Sequence, residues 1–157
     1  MRLTSIKTLT GALSIIAVAA LAGPAPAGAQ SAPPQAGTAR LVVTFAGLES
    51  AKGALMVAMF DGQGAYAGQG APVRATRATA GLPSVRVEFD GLAPGRYAIK
   101  AFHDLAGDGK LHTNPFGIPT EPYAFSNGAR GVMGPPSWDE SAFVVGPGLN
   151  VQTISIR

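Results

Sequence analysis

The chain has 157 residues, no cysteine and a formal net charge of +3. No disulfide scaffold can form, and the Arg and Lys residues are scattered rather than interleaved with aromatics, which excludes nucleic acid as an expected partner. Arg2 and Lys7 carry two of the three net charges, and both lie in a segment expected to be removed.

That segment comes first. Arg2 and Lys7 precede an uncharged apolar run from Leu9 to Leu21, and small residues lead to Ala27-Gly28-Ala29 before Gln30. The apolar run is shorter than the roughly 20 residues that span a bilayer. A charged start, a short apolar core and an Ala-x-Ala exit predict a signal peptide at 1–29. The exported form then has no transmembrane span and resides in the periplasm or outside the cell. Residues 30–38, rich in Pro, Gly and Ser, predict a flexible lead-in, and 39–157 one folded domain.

Within 39–157 the pattern is that of short strands. In 40–45, Leu41, Val43 and Phe45 share one face while Arg40 and Thr44 share the other, and in 84–89 Val85, Val87 and Phe89 oppose Arg86 and Glu88; a period of two marks a half-buried strand. Residues 54–60 are apolar on both faces, which suits a central strand. Met56 and Met59 point to opposite faces there and are assigned to core packing. Weaker signals mark 73–79 and 96–102, and 141–145 with 150–156 read as a closing hairpin across Gly146-Pro147-Gly148. About seven strands punctuated by Gly and Pro turns predict an all-β fold, a single antiparallel β-sandwich of the immunoglobulin-like or transthyretin-like kind. The turn Leu92-Ala93-Pro94-Gly95-Arg96-Tyr97 is similar to one common in secreted transthyretin-like and carboxypeptidase-regulatory sandwiches.

One segment breaks the rhythm. Residues 104–140 are rich in Gly, Pro and Asn, yet carry Phe116, Ile118, Tyr123, Phe125 and Trp138. So long a connection is functional or disordered, and its aromatics favour an ordered loop folded over one end or edge of the sandwich. Phe102-His103-Asp104, Gly107-Asp108-Gly109-Lys110-Leu111 and the run from Asn114 to Asn127 resemble the domain of unknown function 2141 family of small exported bacterial proteins. Gly134-Pro135-Pro136-Ser137-Trp138 and Ala142-Phe143 continue the likeness across 40–157. It implies a fold and a compartment and carries over no catalytic residue.

Four chemistries can be written on this loop. Asp104, Asp108 and Gly109 match positions 1, 5 and 6 of an EF-hand-like calcium loop, whereas Ala106, His112 and Pro115 occupy ligand positions they cannot serve. The family pattern commonly has Asn and Asp where this chain has Ala106 and His112. Asn114 or Glu121 could add oxygens, still short of the about six to eight that Ca²⁺ takes. His103 and His112, with Asp104 or Asp108, could instead hold Zn²⁺ or Cu²⁺. Ser126, His103 and Asp104 supply the residue types of a hydrolase triad, but no Gly-x-Ser-x-Gly elbow surrounds Ser126. Finally, Phe116, Tyr123, Phe125, Ser126, Asn127 and Trp138 have the composition of a binding surface, and the same rings could equally plug the sandwich. The expected function is a non-catalytic envelope binding or accessory module acting through the 103–140 face, without a cofactor, for an envelope protein, peptide or glycan. A calcium- or transition-metal-binding domain is the alternative, and an uncharacterised hydrolase the second.

Overall fold

The computed structural model describes residues 38–157. The signal peptide expected at 1–29, and the lead-in up to residue 37, lie outside them.

Eight strands form two sheets among the described residues. They are β1 (Ala39–Ala46), β2 (Ala54–Phe60), β3 (Arg74–Thr79), β4 (Ser84–Leu92), β5 (Gly95–Asp104), β6 (Tyr123–Phe125), β7 (Phe143–Val145) and β8 (Gly148–Ser155). One sheet has the order β4-β1-β8; the other runs β3-β2-β5-β6, with β7 also pairing with β5. The fold is all-β and sandwich-like. Leu41, Val43, Phe45, Val85, Val87 and Phe89 of the first sheet pack with Leu55, Val57, Met59, Ile99 and Val145 of the second in one core. The alternation in β1 and β4 therefore places its apolar face inward as the period of two requires.

Three details differ from the expected sandwich. The sheets are not wholly antiparallel, because β1 and β8 pair in parallel, from Ala39↔Gly148 to Ala46↔Ser155. These are the first and last strands, so no tight turn between them dictates direction. Residues 141–156 are not a hairpin either: β7 pairs with β5 and β8 with β1, and the turn between them hands the chain from one sheet to the other. Asn150 holds that turn, accepting from Gly146 N–H at 2.9 Å and donating to the Gly146 and Gly148 carbonyls. The eighth strand, β6, lies inside the 104–140 segment.

The two outer faces are finished differently. On the three-stranded sheet, Arg40 pairs with Glu88 and Asp90, and Arg86 with Glu88, so charge meets water. The five-stranded sheet cannot do this. Met56, Ala58 and Phe60 of β2 and Ala98 and Phe102 of β5 lie on its outer side, opposite the core-facing Leu55, Val57, Met59, Ile99 and Ala101. An apolar sheet face needs a cover, and the long segment supplies most of it.

Candidate functional site

The cover is anchored at two places, and an open cleft lies between them. The first anchor is a second apolar cluster of Phe60, Tyr66, Ala98, Trp138 and Ala142. Tyr66 comes from a short helical turn (Ala65–Gln69), and Trp138 opens a one-turn helix, α1 (Trp138–Ser141). Ser137 caps α1: its hydroxyl accepts from Glu140 N–H, while the Glu140 carboxylate accepts from Ser137 N–H. This reciprocal pair is a capping box, and the Ser-x-x-Glu spacing was visible in the sequence. Tyr66 stands edge-on between Phe60 and Trp138, at centroid distances of 5.6 and 5.8 Å. Lys100 donates to the Tyr66 carbonyl at 2.7 Å and lies over the Tyr66 ring. Burial holds the Lys100 ammonium below its ordinary pKa and pushes the Tyr66 phenol up, against its hydrogen bond to Ser141.

Ser126 ties this cluster to the sheet. Its hydroxyl accepts from Ile99 N–H at 2.8 Å and donates to the Ser141 carbonyl at 2.6 Å. It thus continues the β5 ladder where β6 ends, and it is 1% exposed. Trp138 is buried too, as the plug alternative for the rings has it, whereas Ser126 departs from the surface position expected for it. Asn127 Nδ2 donates to the Glu140 carbonyl and fixes the turn that follows β6.

The second anchor is a pair of carboxylates beneath the 105–122 loop. Asp104, fully buried, accepts from Gly107 and Gly109 N–H at 2.6 and 2.8 Å. Glu121, 7% exposed, accepts from Leu105, Ala106 and His112 N–H. Gly53 has φ +81°, and a Cβ there would sit 2.0 Å from the Asp104 carbonyl oxygen; only glycine lets the turn before β2 approach this strand end. Withdrawal from water works to raise both carboxyls, yet both lie below their ordinary values. The Gly109 and Gly107 amides and positive Arg77 hold Asp104 down; the His112, Leu105 and Ala106 amides and the His112 ring hold Glu121 down. Each group therefore contributes stability that is full above its unfolded pKa and lost as pH falls through its lower folded value. The 105–122 loop is expected to loosen below about pH 4. Hydrogen exchange at Leu105, Gly107 and His112 checks this, and Glu121→Gln should shrink the acid response.

The residues expected to hold a metal are dispersed. His103 turns toward the core side and its Nε2 lies 2.7 Å from the Lys52 carbonyl, while Asp104 occupies the opposite face, as neighbours on a strand must. His112 sits between Asp108 (Nε2, 3.4 Å) and Glu121 (Nδ1, 3.3 Å), so these carboxylates flank the ring instead of converging. Asn114 Oδ1 accepts from Phe116 and Ile118 N–H and shapes the loop tip. Among the described residues, no three His, Asp or Glu side chains gather as a metal-holding group. Nor do Ser126 and His103 bond to one another; each is spent on a backbone partner.

Between the anchors lies a cleft of about 1210 Å³ on the outer face of the five-stranded sheet. Its floor is a row in register across four strands, Arg77 (β3), Met56 (β2), Phe102 (β5) and Tyr123 (β6), with Ala75, Ala58, Lys100 and Phe125 beside it. Leu111, Phe116, Ile118, Met133 and Pro135 wall it. Phe116 is 87% exposed, Ile118 59% and Met133 106%, whereas Phe125 is half-buried with its ring edge-on to Tyr123. The expected surface residues Phe116, Tyr123 and Phe125 thus meet in one cleft. Phe102 and Met133 are members the sequence did not single out, and Met56, expected in core packing, faces the cleft instead.

No curated protein and no solved structure matches the chain. A family profile described as "Uncharacterized protein conserved in bacteria (DUF2141)" matches residues 43–153, which takes in both sheets, both anchors and the cleft. With most of its length matched, the chain belongs to that family.

Proposed function

We propose that this protein is a non-catalytic binding module of the bacterial cell envelope that takes an apolar ligand in the cleft over β2, β5 and β6. The observation that carries this is an open cleft whose floor and walls are mainly apolar side chains, with Arg77 and Lys100 as its charged members. Folded monomers rarely leave contiguous apolar patches of this kind without use, and ligand sites are concave, mainly apolar and sparing in polar groups. Phe116, Ile118 and Met133 are exposed and contribute little to the core, which leaves their apolar surface free for a ligand. A glycan is the poorer fit, since it would require many more hydrogen-bonding groups than this lining offers. Export is supported by the charged start, apolar run and Ala-x-Ala exit of residues 1–29.

A neutral solvatochromic dye, Nile red, tests the cleft. Saturable binding with a blue-shifted emission is expected. Ala75 is exposed on an edge strand and in register with Ala58, so Ala75→Trp should fill the floor without disturbing the core. Dye affinity should then fall about ten-fold or more, equivalent to the loss of at least about 1.4 kcal/mol of binding. Unchanged affinity in Ala75→Trp would refute binding in this cleft.

A further inference from the structure

Charge in the cleft is one-sided. Its lining includes two cations, Arg77 and Lys100, and no carboxylate. Lys100 is committed to the Tyr66 carbonyl and ring. Arg77 is not: it makes no ion pair or hydrogen bond among the described residues. Its positive charge is felt by Asp104, whose two oxygens already accept from Gly107 and Gly109. Arg77 also has a defined place, at one end of the floor row, with Met56, Phe102 and Tyr123 following in register away from it. Three strand spacings make that row about 14 Å long. The site thus offers one cation, then a straight apolar track.

We infer that the occupant is a single-chain anionic amphiphile, a fatty-acid-like carboxylate, with its head group on Arg77 and its tail laid across Met56, Phe102 and Tyr123 beneath Phe116 and Ile118. A lone guanidinium matches a carboxylate through two parallel N–H···O bonds. A dianionic phosphate head would call for a second cation, and Lys100 is already committed to Tyr66. The tail supplies affinity by covering apolar surface, and the head supplies direction. This inference rests on the cleft being the binding site, and the experiment separates the two.

Decanoate, decanol and decyltrimethylammonium, each below its micelle-forming concentration, are titrated into the protein recovered after expression of the full chain, with displacement of Nile red as readout. Decanoate should bind about ten-fold more tightly than decanol, the increment of a charge-assisted hydrogen bond, and the ammonium more weakly than decanol. In Arg77→Met the ratio of decanoate to decanol affinity should fall to about one, whatever the change in decanol affinity itself; in Arg77→Glu the order of the two charged ligands should reverse. Arg77 is exposed and its guanidinium makes no ion pair or side-chain hydrogen bond among the described residues, and circular dichroism melts of both variants check that they fold. Equal binding of decanoate and decanol by the wild type would overturn the carboxylate assignment while leaving the cleft as an apolar site. Failure of all three to displace the dye would overturn both. A dimer in sedimentation that Phe116→Ser dissolves would place a second copy in the cleft and likewise overturn the amphiphile.

Discussion

Replacing Trp138 by alanine is expected to destabilise the protein by about 3–5 kcal/mol, the usual cost of deleting a buried aromatic ring. Trp138 is the centre of the cover over the sheet's outer face. Its ring meets Tyr66 edge-on at 5.8 Å and carries the Arg96 guanidinium 5.9 Å from its centroid. Tyr66 in turn contacts Phe60 and hydrogen-bonds Ser141, whose carbonyl accepts from Ser126. Loss of the indole thus leaves a cavity among apolar residues and weakens the seat of α1, which follows the Met133–Pro135 wall in the chain. Urea unfolding followed by far-ultraviolet circular dichroism gives the difference; fluorescence cannot, since this is the chain's single tryptophan. Trp138→Phe should cost about half as much, because a smaller ring keeps part of the contact. A loss below about 1 kcal/mol in Trp138→Ala would mean the cluster does not hold the cover.

Glu121→Ala is the second large effect, about 2–4 kcal/mol, because it removes the acceptor for three backbone N–H groups under the loop. A buried donor without a partner costs more than the original bond contributed. The damage should be local at first. Amides of Leu105, Ala106 and His112 should exchange faster, while those of β1 and β2 stay protected. Since the same loop carries Leu111, Phe116 and Ile118, Nile red affinity should fall as well. Glu121→Gln keeps an amide oxygen as acceptor and should be markedly milder. Equal effects of Ala and Gln would show that the carboxylate is not the loop's anchor.

Much of this architecture could be read from residue order. The alternation of Leu41, Val43 and Phe45 and of Val85, Val87 and Phe89 gave both strands and their inward faces. The two-faced apolar run at 54–60 marked a central strand, and the aromatics of 104–140 marked an ordered segment. What escaped was long-range. The parallel β1–β8 pair joins the two ends of the domain, and no local pattern sets its direction. Met56 and Met59 were both assigned to the core; Met59 is there, but Met56 faces the cleft, because the second sheet face is covered only in part. Tyr66 lay in a Gly-rich stretch with no period, and its role appears only beside Trp138. The carboxylates of Asp104 and Glu121 looked like ligands by residue type, yet both accept backbone N–H bonds. Spacing alone does not distinguish these uses. The capping box at Ser137 and Glu140, by contrast, is a local signal that ends the supposed strand start at Ser141 and puts a helical turn there.

Methionine methyl groups offer the most direct test of the cleft. Met56 and Met133 line it, and Met59 lies fully buried in the core. With ¹³C-methyl methionine incorporated, titration with decanoate should shift the Met56 and Met133 resonances and leave Met59 in place. Shifts confined to other positions, or none at saturating ligand, would contradict binding in the cleft.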